Sequence, residues 1–368
     1  MLKAVDYGKF ACMSLGRKRW RLGGRAENLS NAPAPVPRRG RRLRIFLDCL
    51  CWIYAIFAVA VWLVMRFEGD RWWIATLVLF GPRWVVALPL GILIPVAVVW
   101  QRRSLWPLMV ASFIVAFPLM DLEVPWRRLA PTRGGGPMLR VLTCNTHGVQ
   151  LDNAAFTRLL AETHPDIVAL QEWYPPNGPA IFGDGHWFII NEGELCLASR
   201  YRIRRVESIG GHRWGWAGAA IQYEVEAPSG AFSFINLHLE SPHVAFLATL
   251  RRSSSASAQV MRNIQQRMRQ AEEMRRVAEK LGDSVMLAGD FNTPADSPIY
   301  RQSLSGFANA FSKSGFGFGW SYYAQGTVTR IDHILTGSAW QCRDCWVSPP
   351  VGSPHRAVIA DFLWVGAQ

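Results

Sequence analysis

The sequence predicts an α/β domain toward its C-terminal end, preceded by a helical membrane segment of about three spans. Three observations carry this. Long apolar runs crowd into residues 45–120, and short apolar strands alternate with amphipathic helices from residue 138 onward. Between the two regions lies a Gly-rich stretch, Pro131 to Pro137. The chain has 368 residues, 50% hydrophobic and 18% charged, which is length for about two structural units. That much apolar material excludes disorder as the main state. Seven Cys over this length exclude a disulfide-dense miniprotein.

Charge divides the chain at the same place. Residues 1–137 carry 20 Lys and Arg against 7 Asp and Glu, and residues 138–368 carry 20 against 20. The whole net charge of +13 therefore precedes the domain. It clusters in residues 17–44 among Gly, Pro, Asn and Ala, so residues 1–44 read as a basic disordered tail. The neutral domain lacks the basic stripe that duplex binding needs, which makes nucleic acid the less favoured partner.

Ile45–Met65 is apolar except for Asp48 and reaches about 30 Å as a helix, the hydrocarbon thickness of a bilayer. Trp84–Trp100 and Leu105–Met120 follow, with Trp and Arg at their ends to sit in the interface. Trp72–Phe80, stopped by Gly81-Pro82, reads as an interfacial or re-entrant piece. Arg38, Arg39, Arg41, Arg42 and Arg44 before the first run, and Arg102-Arg103 in the second connection, belong on the cytoplasmic side. Three spans then carry residues 121–368 outward. The expectation is a multi-pass protein of the cell membrane, with residues 45–122 in the bilayer, residues 123–137 as linker and the domain, residues 138–368, extracytoplasmic.

Within the domain, Met138–Cys144 alternates apolar and polar residues and breaks at Asn145-Thr146-His147-Gly148, a strand running into a loop. Ala154–Thr163 has helical spacing, and Ile167–Leu170 is a buried strand closed by Gln171-Glu172. Trp187–Ile190, Leu195–Ala198, Ala219–Val225 and Phe232–Leu237 read as strands. Val260–Leu281 is the best helix, its Ile264, Met268, Ala271, Met274, Ala278 and Leu281 forming one core-facing stripe. Val285–Ala288 is a buried strand ending at Gly289-Asp290-Phe291-Asn292, and strands near Ile331–Leu335 and Val358–Phe362 finish the chain. Strand ends are where layered α/β folds gather their polar chemistry. Cys342 and Cys345 form a lone C-x-x-C, which argues for structural cysteines over zinc. No G-x-S-x-G signature of a covalent hydrolase is present.

Seven stretches occur in order along residues 139–362: Leu139–Asn145, Pro165–Glu172, Asn236–Leu239, Arg267–Gln270, Gly289–Asn292, Arg330–Asp332 and Ser353–Arg356. Together they resemble the endonuclease/exonuclease/phosphatase superfamily, the fold shared by DNase I, exonuclease III-type enzymes, neutral sphingomyelinases and inositol-polyphosphate phosphatases. The apolar prefix resembles that of a membrane-anchored bacterial subgroup. The resemblance implies a four-layer α/β sandwich, DNase I-like, and a metal-dependent phosphoric ester hydrolase acting on phosphate ester, pyrophosphate or phosphodiester bonds.

The resemblance also implies roles. The Glu172 carboxylate, aided by the Asn145 amide oxygen, is the metal site for a divalent ion, Mg²⁺ or Mn²⁺, which neutralises the anionic oxygens that repel a nucleophile. Asp290 positions and deprotonates the attacking water, and Asn292 keeps phosphate or nucleophile in line. Asp332 orients His355, which donates to a non-bridging oxygen or the leaving group, and His238 is a second donor. The pattern departs at Pro354, where the superfamily has the Asp of Ser-Asp-His. Proline supplies no carboxylate, so a second metal site, or that Asp's share in the first, lacks a ligand. Two alternative readings follow: a nuclease of the same fold, and a catalytically impaired binding protein. Tethering beside the bilayer points to a lipid-linked phosphate, and no obligate protein partner is evident. Trp214 and Trp216, with Trp173 and Tyr174, read as packing residues before they read as contacts for a lipid chain.

Overall fold

Cys51, Ala55 and Ala58 fall on one face of the first apolar helix, and small side chains at that spacing let other helices approach closely. The computed structural model describes residues 38–126, 137–183, 185–210, 219–243, 255–324 and 326–366. In it this helix is Arg38–Glu68 (α1), followed by Trp73–Phe80 (α2), Leu88–Trp100 (α3) and Leu105–Ile114 (α4). The small face of α1 packs with Leu93 and Ala97 of α3 and with Leu108 and Ala111 of α4. Phe46, Ile53, Ile56, Ile92, Val99 and Trp106 instead point outward, each more than half exposed. Small inside and large apolar outside inverts the pattern of a water-soluble bundle.

Gly40–Glu68 and Arg83–Trp100 are long and apolar enough to cross a membrane. The third run is shorter, with α4 continuing as a wide π-type turn through Val115–Leu119. The helix α1 begins at Arg38, so Arg41, Arg42 and Arg44 are helical rather than part of a disordered tail. Arginine is a good helix former, and a helix already nucleated in the apolar run propagates into it at little cost. The tail up to residue 37 lies outside the described residues. At one end of the helices Ser104 Oγ donates to Asp48 Oδ1 (2.9 Å), bringing the Arg102-Arg103 turn beside Asp48 of α1. At the other end α2 meets the α/β part, Trp73 packing on Val260 and Ile264. The segment Trp72–Phe80 thus leans on the domain's long helix.

The domain has two six-stranded sheets. The first runs, in spatial order, Trp340–Val347 (β13), Val358–Trp364 (β14), Met138–Asn145 (β1), Ile167–Gln171 (β2), Leu195–Ser199 (β4) and Phe188–Glu192 (β3). The second runs Arg202–Ile209 (β5), Ala219–Ala227 (β6), Gly230–His238 (β7), Met286–Asp290 (β8), Asp332–Thr336 (β12) and Ala308–Asn309 (β9). Tyr322–Ala324 (β10) and Thr327–Thr329 (β11) form a small hairpin.

Val141, Ile167 and Leu197 from the first sheet meet Ile221, Phe234 and Met286 from the second in a buried core. Cys345 is buried in it and Cys342 packs against it, a structural use. The outer face of the first sheet is covered by helix Asn153–Thr163 through Phe156 and Leu159, and Trp173 is buried there as a packing residue. The outer face of the second is covered by helix Ala256–Leu281 through Met274 and Ala278. The result is the four-layer sandwich. Met268, expected on the core stripe, is 38% exposed, and Arg267 takes the inner position at 1%. Position 267 falls on the buried line of Val260, Ile264, Ala271, Met274 and Ala278, and Asp70 neutralises the guanidinium there.

Arg44–Gln368 form one compact unit, so the domain rests against the helices instead of hanging from a free tether. Glu123, assigned to the linker, pairs with Gly317 in a β-bridge.

Two parallel neighbours, β1–β2 and β7–β8, fix where the strand ends fall. Gly289 is essential to the second pair. A Cβ there would lie 1.8 Å from the Leu237 carbonyl oxygen, on a backbone with φ of 151°. Gly289→Ala must therefore push β8 off β7 where His238 and Asp290 sit opposite one another. The expected loss is about 3 kcal/mol, seen as a lower melting temperature of the full chain in detergent. An unchanged melting temperature would contradict this packing.

Candidate active site

Asn145 ends β1, Glu172 follows β2, His238 ends β7, Asp290 ends β8 and Asp332 begins β12. Because β12 is antiparallel to β8, its first residue lies at the same end as the last residue of β8. His238, Asp290 and Asp332 thus form one cross-strand row, paired in register, and directly opposed residues share a sheet face. Beneath them Gln171 Nε2 donates to Asn236 Oδ1 (2.8 Å), a fully buried bond that ties the two sheets together at this end.

The side chains meet at Asp290. Asn145 Nδ2 donates to Asp290 Oδ2 (3.1 Å) and to Glu172 Oε1 (2.9 Å), joining one carboxylate from each sheet. Asn145 Oδ1 accepts the His147 N–H (3.0 Å), so the amide nitrogen, not the oxygen, faces the carboxylates. His238 Nε2 lies 3.7 Å from Asp290 Oδ2 and 3.9 Å from Glu172 Oε1. His355 Nε2 lies 3.7 Å from the same Asp290 oxygen, while its Nδ1 bonds both Asp332 oxygens at 3.0 and 3.1 Å. The Asn292 N–H donates to Asp290 Oδ1 (2.8 Å), and Asn292 Nδ2 donates to the Leu239 carbonyl (2.8 Å). Glu172 and Asn292 both hold left-handed backbone, φ 46° and 47°. That conformation is uncommon for Glu and tolerated by Asn. All seven sequence-predicted site residues come together.

Burial raises the Asp290 carboxyl above the usual carboxylate range, and the Asp332 charge adds to this, while His355 and His238 oppose it. Burial by itself would lower His238, but its bond to Glu194 and the charge of Asp290 lift it to about 9. Burial likewise opposes protonation of His355, and Asp332 and Asp290 overcome it, raising the imidazole to about 8. Both imidazoles are thus shifted toward their charged form beside one buried carboxylate, an arrangement suited to an anionic substrate.

Asp290, Asp332 and His355 offer ligand atoms all within 4.8 Å of one another, a group able to hold a metal ion. Glu172, one-third exposed, adds a carboxylate on the open side. The three carboxylates, Asp290, Asp332 and Glu172, are the oxygen ligands that suit a hard divalent cation such as Mg²⁺ or Mn²⁺. Pro354 brings no side-chain ligand; its carbonyl accepts the Tyr323 N–H.

Sequence reasoning missed four supporting side chains. His147 Nδ1 lies 3.2 Å from Glu172 Oε2, and Glu194 Oε1 lies 3.1 Å from His238 Nδ1. Ser353 Oγ donates to the Asn145 carbonyl (2.7 Å) and accepts the His355 N–H (3.0 Å), fastening the last loop to β1. Ser321 Oγ accepts the N–H groups of Ile331 and Asp332. Ser353 stood inside the Ser353–Arg356 stretch and His147 in the loop after the first one, so both were legible there. Glu194 and Ser321 carried no local signal. Trp214 and Trp216 lie outside the described residues, and Tyr174 is 44% exposed.

A sequence model described as the endonuclease/exonuclease/phosphatase family matches residues 142–355. No curated protein matches the chain in sequence. Among solved structures, the chain is similar to D. rerio TDP2 complexed with single strand DNA product, at 17% identity and TM-score 0.45, covering 61% of this chain and 98% of that one. It is also similar to an endonuclease/exonuclease/phosphatase from Beutenbergia cavernae DSM 12333 (16%, TM-score 0.46, covering 62% and 72%). A third is the human Nocturnin catalytic domain with bound sulfate anion (17%, TM-score 0.46, covering 62% and 94%).

Proposed function

Since the chain belongs to the endonuclease/exonuclease/phosphatase family, we propose that it is a membrane-anchored, divalent-metal-dependent phosphohydrolase acting on a lipid-linked phosphate ester, pyrophosphate or phosphodiester. The observation that carries the chemistry is the convergence of Asn145, His238 and His355 on one oxygen of the buried Asp290 carboxylate.

Glu172, with Asn145 fixing its carboxylate, would hold Mg²⁺ or Mn²⁺, which when bound supplies positive charge against the phosphate oxygens. Asp290 takes the proton of the attacking water, its basicity raised by burial. The Asn292 N–H on Oδ1 keeps the other carboxylate oxygen turned toward the site. Asp332 fixes the His355 ring through Nδ1, leaving Nε2–H for a phosphate oxygen or the leaving group. His238, oriented by Glu194, donates to the developing charge.

The lipid reading is supported by how near this centre lies to the helix ends. The Tyr322 ring lies tilted against His355, 4.8 Å between ring centroids. The same Tyr322 packs on a cluster of Met65 from α1, Phe80 from α2, Leu119 and Ile331. The outward-facing apolar side chains of α1, α3 and α4 support a multi-pass anchor. The Arg102-Arg103 turn then lies in the cytoplasm and the domain outside.

The test is phosphate release by the full chain in nanodiscs, from lipid pyrophosphates, phospholipids and plasmid DNA, with Mg²⁺, Mn²⁺ or EDTA. Cation-dependent release from a lipid substrate is expected. DNA cleavage with steep salt dependence and intact lipids would replace this reading by a nuclease. No hydrolysis with either cation would leave a binding protein.

A further inference from the structure

Among the described residues Arg267 is the bulkiest fully buried side chain, and a buried guanidinium needs a counter-charge. No carboxylate among the described residues of the α/β domain forms a salt bridge with it. The partner is Asp70, in the turn between α1 and α2, whose side chain has no exposure and whose Oδ1 lies 3.0 Å from Arg267 Nη1. Among the described residues it is the only carboxylate within salt-bridge distance of Arg267. Asp70 Oδ2 also accepts the Ile299 N–H (3.3 Å), and the Phe80 ring lies under the guanidinium, 4.8 Å from Cζ.

The other end of the guanidinium faces the site. Arg267 Nη2 donates to the Asn292 carbonyl and to Thr293 Oγ1, both at 3.1 Å. Asn292 is the left-handed residue whose N–H holds Asp290 Oδ1. One continuous series of polar contacts therefore runs from the helical segment to the carboxylate: Asp70, Arg267, the Asn292 carbonyl, the Asn292 N–H, Asp290.

We propose that Asp70 is a positioning residue for the reaction, which holds the left-handed Asn292 turn, and through it Asp290, by fixing Arg267. The anchor is then part of the active site's construction as well as its tether. This rests on the phosphohydrolase reading for its kinetic consequence and on the contacts alone for its structural one. A second bridge between the same two parts provides the contrast: Arg83 pairs with Asp296 at 2.8 and 3.2 Å and touches no site residue.

The experiment compares Asp70→Asn, Asp70→Glu and Arg83→Gln in the full chain in nanodiscs with Mg²⁺. Asp70→Asn is expected to lower kcat by about tenfold or more with KM nearly unchanged, since small misplacements of a reacting group are costly. Asp70→Glu restores most of the rate. Arg83→Gln lowers the melting temperature but leaves kcat within about twofold. Hydrogen exchange in peptides spanning residues 289–294 rises about tenfold in Asp70→Asn and not in Arg83→Gln. The double variant Asp70→Asn/Arg267→Met, which removes both charges together, recovers the melting temperature but not kcat. The proposal is overturned if both bridges lower kcat in step with melting temperature, or if exchange at residues 289–294 is the same in Asp70→Asn and wild type. A wild-type chain that hydrolyses no phosphate probe sinks the enzymatic reading alone, and the exchange contrast still decides the role of Asp70.

Discussion

Asp290→Asn lowers the rate of phosphate release by about 10³-fold while the protein stays folded. The rate falls because the amide cannot accept the proton of the attacking water, and no second carboxylate takes the place of Asp290: Asp332 is occupied by His355. The fold survives for the same reason that Asp290 is a good base. Burial already favours its neutral form, so an uncharged amide of equal size fits the site electrostatically. One donor contact, from Asn145 or from Asn292, is lost in exchange, at about 1 kcal/mol. Single-turnover phosphate release and a melting curve check the two halves separately. A rate within about tenfold of wild type would move the proton transfer to another group.

Glu172→Gln raises the cation concentration needed for half-maximal activity by about 100-fold, an effect of the size seen when a ligand's charge or orientation is lost. The Gln oxygen still accepts the Asn145 amide, so the geometry is kept and the charge alone is removed. Wild-type activity is expected to vanish in EDTA and return with Mg²⁺ or Mn²⁺. Titration of activity, with calorimetry of cation binding, measures the shift. An unchanged requirement would assign the ion to the Asp290, Asp332 and His355 group instead.

Much of the domain was legible because its signals are local. The strands ending in Asn145, Gln171, His238 and Asp290 are short apolar runs broken by polar residues, and each formed within a residue or two of where its pattern ends. Strand β5 was not legible: its Arg-Ile-Arg-Arg-Val-Glu stretch is mostly exposed, and an edge strand pairs through backbone with little demand on side chains. Met268 and Arg267 exchanged inside and outside because periodicity assigns a helix face by hydrophobicity and is blind to a counter-charge from elsewhere. The start of α1 was misplaced for a related reason, since charge composition signals a tail whether or not a helix propagates into it.

The sequence by itself determined the residue types available for phosphate chemistry, their order at the strand ends, the apolar helices before them and the missing carboxylate at Pro354. The apolar helices and strand ends follow from composition and short-range spacing, and the site residues and the Pro354 departure from the resemblance to the superfamily. Only the tertiary structure decided that Asn145 turns its nitrogen to two carboxylates, and that Asp70 from the helical segment completes Arg267 behind Asn292. Such pairings join residues as far as 197 positions apart, and they are chosen by which buried charge the packed layers leave unpaired, a quantity that exists only once the chain has folded.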